Sequence, residues 1–120
     1  MKSGHEHLIP IGPATQALLA RRGTDLLFEN EDGRPFANYG HAHRHFLEAS
    51  GVPHFTRHDL RRTFSTGLAS LGTAPHIIER LLDHQSGTIS GIAATYNRFH
   101  FLPEMRAAVE KWEEHLANLM

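Results

Sequence analysis

Apolar residues in the second half of the chain recur at intervals of three and four, the period of an amphipathic helix. We predict helices over residues 57–71, 74–84 and 102–119. The first of these helices places four apolar residues on one face: Leu60, Phe64, Leu68 and Leu71. Each predicted helix therefore turns one face toward a core and presents the other face to solvent.

Capping signals predict where two of these helices begin. Thr56 is a favourable N-cap, and Asp59 three residues later completes a capping box that starts the first helix near Arg57. We expect Thr73 to cap the second helix, with Pro75 in its first turn.

The first half of the chain is less regular. Its predicted elements are a strand at 7–11, a helix from 12 that stops at Gly23, a short buried segment at 25–28, a turn around 30–36, and a helix at 39–50 capped by Asn38 and closed by Gly51. The partner of the strand would lie upstream of Met1, so we expect the chain to begin within a domain. We find no repeat or linker and predict one α+β domain, mainly α-helical, over residues 1–120.

Composition narrows the function classes. The chain has 120 residues, of which 40% are hydrophobic, enough for an ordinary core. Lys and Arg total 12 against 13 Asp and Glu, so any binding of anions must be local. With no cysteine, disulfide frameworks and thiolate zinc sites are excluded. There is no membrane-length apolar run and no signal-peptide pattern, so we expect a cytoplasmic protein without a membrane partner.

The strongest positive cluster lies where a helix should disfavour it. His58, Arg61 and Arg62 share the polar face at the start of the predicted helix 57–71, opposing its macrodipole. A phosphate bound there would remove this penalty. The alternative is an ordinary solvated charged face.

Three motifs in series carry a family resemblance. They are His58-Asp59-Leu60-Arg61-Arg62-Thr63, then Leu82-Asp83-His84, then Tyr96 before Asn97-Arg98. This series resembles the C-terminal motifs of the tyrosine recombinases, or phage integrases, and is most similar to the integrases of phages and genomic islands. The segment from Lys2 to residue 11 resembles the remnant of the family's β-hairpin and the strand after it.

The resemblance implies breakage and rejoining of double-stranded DNA without a metal or other cofactor. Tyr96 would attack the scissile phosphate and form a 3′-phosphotyrosyl bond. Arg61 would stabilise the charge on the phosphate oxygens. His58 and His84 would donate to the same phosphate or move the nucleophile's proton. Lys2 would protonate the leaving 5′-oxygen.

The sequence departs from the family pattern in three places, one of which is the missing strand before Lys2. The family's first catalytic arginine precedes the hairpin, so we expect a fragment that is weak or inactive alone. The usual Leu-Gly-His is here Leu82-Asp83-His84, which adds a carboxylate beside the histidine.

The predicted C-terminal helix, 102–119, has an apolar stripe and an acidic side. The acidic side consists of Glu104, Glu110, Glu113 and Glu114. The helix either packs on its own domain or, as the family implies, docks on a neighbouring recombinase protomer.

Other function classes stay open. Arg57 and Arg62 are candidates for DNA backbone contacts or are ordinary surface arginines. The chain could also be a non-catalytic DNA- or protein-binding remnant of an integrase. Eleven histidines, with His41 and His45 one helical turn apart, raise the further alternative of a metal-binding domain. Because no cysteine or carboxylate pattern completes a ligand set, we assign no metal ligand.

Overall fold

The structure, a computed structural model, describes residues 6–19, 26–84 and 101–120. In these ranges the chain is mainly helical, as predicted. The helices are α1 (Pro13–Leu19), α2 (Tyr39–Ser50), α3 (Arg57–Ser70), α4 (Pro75–Leu81) and α5 (Leu102–Leu119). None of the helices described is long and apolar enough to cross a lipid bilayer.

The core lies where α3, α4 and α5 pack together. Its buried residues are Leu68, Ile77, Ile78, Leu81, Leu82, Met105, Ala108 and Val109, with Phe64, Phe101 and Trp112 packed against them. Most of these residues belong to the apolar stripes that the sequence predicts. The N-terminal half of α5 therefore packs on its own domain, whereas Leu116 and Leu119 near its end are 40% and 71% exposed.

The capping box at the start of α3 is confirmed. The Asp59 amide donates to Thr56 Oγ1 at 3.2 Å, and the Thr56 amide donates to Asp59 Oδ2 at 2.8 Å. The prediction that Leu60 is buried is wrong, since its side chain is 58% exposed. The first turn of α3 extends beyond the core, whose contacts with this helix begin one turn later at Phe64.

Thr73 does not cap α4. The N-cap is Ala74, without a side-chain hydrogen bond, and Pro75 is in the first turn as predicted. Thr73 instead belongs to the end of α3, where its amide donates to the Leu68 carbonyl at 3.0 Å. The left-handed Gly72, with φ of 81°, makes this closing turn possible.

A close approach joins α3 to α5 at Gly67. A Cβ atom added to Gly67 would lie 2.9 Å from Cη2 and 3.1 Å from Cε3 of the Trp112 ring. The same ring packs edge to face on Phe64, with 5.6 Å between centroids. Glycine is therefore required at this position because there is no room for a side chain.

Glu113 ties α5 to α1. Its carboxylate accepts hydrogen bonds from the Ala14 amide at 2.9 Å, the Thr15 amide at 3.1 Å and Thr15 Oγ1 at 2.6 Å. These bonds satisfy first-turn amides that α1 itself leaves unpaired. They also hold the pKa of Glu113 below its ordinary value, the Thr15 hydroxyl contributing most. Glu113, which the sequence places on the acidic side of α5, is thus a contact between α5 and α1 that the sequence does not predict.

The first half of the chain differs from the prediction in two segments. The N-terminal β-hairpin is not confirmed: residues 7–11 form no strand, because nothing among the described residues pairs with their backbone. Leu27 and Phe28 are 56% and 57% exposed, so the segment predicted as buried is not.

The turn predicted around 30–36 and the helix predicted at 39–50 are both present. Residues 28–36 form a tight turn closed by the Glu29–Pro35 antiparallel bridge. Gly51, with φ of 65°, ends α2, and its amide donates to the Leu47 carbonyl. Asn38 precedes α2 but makes no side-chain cap, because it is itself left-handed with φ of 62°. Gly23 lies outside the described residues.

Candidate active site

Arg61 links α3 to the end of α4. It lies one turn after the start of α3 and is half-buried, and its Nη2 donates a hydrogen bond to the Leu82 carbonyl. The last carbonyls of a helix have no partner within it and carry partial negative charge. A guanidinium is well suited to this position, and it retains further N–H donors for a ligand.

His84 follows two residues after the carbonyl that Arg61 binds. A turn at the end of α4 sets its position: the His84 amide donates to the Glu79 carbonyl at 2.9 Å, and the Asp83 amide donates to the Arg80 carbonyl at 3.1 Å. This pairing is a Schellman motif, which needs a left-handed residue at Asp83, whose φ is 51°. Asp83 thus adopts the conformation for which glycine, the family's usual residue here, is best suited.

The His84 ring is held by a carboxylate. Its Nδ1 lies 3.2 Å from Glu79 Oε2, with 48% and 41% of the two side chains exposed. The sequence analysis did not single out Glu79. The sequence does contain a signal for Glu79. In a Schellman motif the amide of the last residue bonds to the carbonyl five positions earlier, so the residue five before His84 must lie beside it.

His58 lies one helical turn before Arg61. Its side chain is exposed on the first turn of α3. Residues three apart on a helix are neighbours, with about 5–6 Å between their Cβ atoms. The structure therefore brings three predicted site residues, His58, Arg61 and His84, to the same end of the α3–α4 pair.

The N-terminus of α3 already holds a negative charge. Backbone and side-chain hydrogen bonds from Thr56, together with the nearby Arg62 and His58, hold the pKa of Asp59 below its ordinary value. Asp59 therefore remains ionised beside the first-turn amides, and it lies 3.7 Å from Arg62 Nη1. The sequence leaves open whether a phosphate or solvent balances this helix terminus, and the chain supplies its own carboxylate, Asp59. A bound phosphate would depend instead on the Arg61, His58 and His84 side chains.

Arg57 and Arg62 are both exposed on the first two turns of α3. The Arg57 guanidinium stacks over the Tyr39 ring at 5.5 Å from its centroid, which links the beginnings of α2 and α3. The role of Arg57 and Arg62 in contacting DNA stays a prediction.

His7 contacts the same end of α4. Its Nε2 lies 2.8 Å from the Arg80 carbonyl, so the segment before α1 reaches the turn that carries His84. The sequence predicts His7 only as the first residue of a strand. Since the contact is with a distant backbone carbonyl, no local pattern would have revealed it.

Two predicted catalytic residues, Lys2 and Tyr96, lie outside the described residues. Phe101 is the first described residue after Tyr96. Its ring packs on α4, 5.2 Å from the His76 ring and 4.6 Å from the Arg80 guanidinium.

The metal-binding alternative gains no support from the described parts of the chain. There, no group of three or more His, Cys, Asp or Glu side chains is arranged to hold a metal ion. His43, in the centre of the histidine cluster, instead contacts the Phe55 carbonyl through Nε2 at 2.6 Å.

Comparison with known proteins is decisive at the level of the family. Neither the curated proteins nor the solved structures contain a match to this sequence. The model of the phage integrase family matches residues 1–100, a range that includes every motif of the candidate site. The chain therefore belongs to the phage integrase family.

Proposed function

We propose that this chain is the C-terminal part of an integrase catalytic domain and acts in site-specific recombination of double-stranded DNA through a 3′-phosphotyrosyl intermediate. Family membership supports recombination in general. The finer assignment rests on one observation: Arg61 of the first motif bonds to the Leu82 carbonyl within the second motif. Two motifs separated in sequence thereby supply side chains to one place.

The proposed site has the charge that phosphoryl transfer needs. Negative charge builds on the non-bridging oxygens as the nucleophile attacks, and fixed cationic donors stabilise it. The hydrogen bond to the Leu82 carbonyl fixes the Arg61 side chain, so its position is set before DNA binds. Two imidazoles add further donors: His58, one turn before Arg61 on α3, and His84, just after the end of α4.

The reaction proceeds by substitution at phosphorus. The Tyr96 hydroxyl loses its proton to an imidazole of the site, and its oxygen forms a bond to the phosphorus. The bond from phosphorus to the 5′-oxygen breaks, and that oxygen takes a proton from Lys2. The phosphotyrosyl bond then keeps the phosphate activated for attack by a different 5′-hydroxyl.

Chain length supports Tyr96 as the nucleophile of this site. Phe101 follows it by five positions, so the two Cα atoms are at most about 18 Å apart. Phe101 is anchored on α4, the helix whose end carries His84. Tyr96 is thus within reach of the phosphate that Arg61 and His84 would hold.

Two partner assignments follow from the same proposal. Arg57 and Arg62 contact the DNA backbone beside the scissile phosphate. The exposed Leu116 and Leu119 at the end of α5 provide the contact with another recombinase protomer.

Covalent capture tests the function without knowledge of the target site. The chain is incubated with a pool of random-sequence duplexes that carry nicks, so that a short cleaved piece diffuses away and rejoining is prevented. Protein–DNA adducts that survive denaturation are isolated and their DNA is sequenced. Because a fragment of the catalytic domain is expected to be weak alone, we expect adducts in low yield, enriched in one sequence.

The chain provides its own matched control, because it has only two tyrosines. Tyr96→Phe is expected to abolish adducts, whereas Tyr39→Phe is expected to retain them. Arg61→Ala should lower adduct yield by about 10²–10³-fold if Arg61 stabilises the transition state. Sequence-specific binding without adducts, equal in the wild type and Tyr96→Phe, would contradict the proposal and favour the non-catalytic remnant.

A further inference from the structure

We propose that Glu79 is a positioning residue for His84: its carboxylate holds the proton of the imidazole on Nδ1 and leaves Nε2 as the nitrogen that meets the substrate phosphate. This inference deepens the proposed function and rests on it for the role of Nε2. The contact between the two side chains can be tested without DNA.

Glu79 contacts His84 twice. Its backbone carbonyl accepts the His84 amide at 2.9 Å, and its Oε2 lies 3.2 Å from His84 Nδ1. The first contact fixes the start of the side chain, and the second fixes the rotation of the ring. A single residue therefore sets both the position and the orientation of the imidazole.

The chemistry of the pair selects the tautomer. An ionised carboxylate accepts hydrogen bonds and donates none, so the Nδ1 that faces it must carry a proton. In the neutral ring Nε2 then has the lone pair, and it accepts a proton or, once protonated, donates to an anion. A carboxylate that orients a histidine in this way serves catalysis in the serine protease triad.

Other charged groups near this end of α4 do not replace Glu79. Arg61 reaches it from α3 and binds the Leu82 carbonyl, while His7 reaches it from the segment before α1 and binds the Arg80 carbonyl. Asp83, the remaining carboxylate at the turn, has φ of 51° and is the residue that reverses the chain. The carboxylate of Glu79 lies 3.2 Å from the ring nitrogen Nδ1.

Nitrogen-15 NMR of the imidazole groups tests the contact directly. The spectra of the wild type, Glu79→Ala, Glu79→Gln and the control Glu110→Gln are compared at a pH where His84 is neutral, with His84 assigned by its loss in His84→Gln. Glu110 is an exposed glutamate on α5, remote in sequence from α4. Thermal melting verifies that each variant is folded.

We expect the wild type and Glu110→Gln to have His84 mainly as the Nδ1–H tautomer. Glu79→Ala should move it toward Nε2–H, and Glu79→Gln should retain Nδ1–H in part, because the amide oxygen is still an acceptor. A His84 signal that is the same in Glu79→Ala and the wild type would overturn the inference.

Covalent capture separates this inference from the proposed function. We expect Glu79→Ala to lower adduct yield about tenfold to a hundredfold, as the loss of other groups that orient a histidine does, with partial rescue in Glu79→Gln. Unchanged adduct yield in Glu79→Ala would overturn the positioning role while leaving the proposed function intact. If the wild type forms no adducts, catalysis by this chain alone fails, and the tautomer still decides whether Glu79 holds His84.

Discussion

The Gly67–Trp112 contact gives the sharpest stability prediction, since a single added methyl group has two opposing effects there. Replacing glycine by alanine inside a helix ordinarily stabilises it by up to about 1 kcal/mol. At Gly67 the new Cβ would lie 2.9 Å from Cη2 of the Trp112 ring, closer than non-bonded carbon atoms approach. The methyl group or the ring must move.

Overpacking of this kind typically costs about 1–3 kcal/mol. Gly40→Ala provides a matched control, because Gly40 is also helical, in α2, and a Cβ added there meets nothing within 4 Å. The difference in unfolding free energy between the two variants then measures the crowding alone. We expect Gly67→Ala to be less stable than Gly40→Ala by about 1–3 kcal/mol.

Urea denaturation provides the free energies, and fluorescence reports the ring directly because Trp112 is the sole tryptophan. We expect a shift of the emission maximum in Gly67→Ala and none in Gly40→Ala. Equal stabilisation by both substitutions, with unchanged emission, would refute the packing of α3 against α5.

Three further substitutions test other contacts by denaturation. Leu68→Ala empties the most buried position, 0% exposed, and should lower the unfolding free energy by about 3–5 kcal/mol; a loss below about 1 kcal/mol would contradict its burial. Thr56→Ala removes the cap of α3 and should cost about 1 kcal/mol, unless the capping box is absent in solution. Glu113→Gln should lower the melting temperature at pH 7. Because the folded-state pKa of Glu113 lies below its ordinary value of 4.5, the stabilisation is present above that pH and is lost as the pH falls below it. A difference in melting temperature between the wild type and Glu113→Gln that stays constant from pH 7 to pH 3 would exclude this role of the carboxylate.

Local patterns predicted the elements well. The capping box of Thr56 and Asp59, the stop at Gly51 and the apolar stripes of α3 to α5 each depend on residues a few positions apart. Thr73 was assigned to the wrong helix because the end of α3 and the start of α4 adjoin, and its amide is used by the former. Sequence spacing alone does not decide between two adjoining caps.

Contacts between distant segments could not be predicted. The motif residues Arg61 and His84 were identified by resemblance, but the carbonyl that holds Arg61 depends on how α3 packs on α4. The sequence places Glu113 on the acidic side of α5, and nothing near it in sequence indicates that α1 begins beside it. Exposure of Leu27 and Phe28 likewise depends on which elements lie over them, which no local pattern specifies.

The most direct test of the account is to identify the amino acid that becomes attached to DNA. Adducts from the covalent capture are digested with protease and nuclease, and the remaining peptides are sequenced by mass spectrometry. We expect a nucleotide joined through its 3′-phosphate to Tyr96, in much lower yield when Arg61 is substituted. Attachment at Tyr39, at a residue other than tyrosine, or through a 5′-phosphate would contradict it.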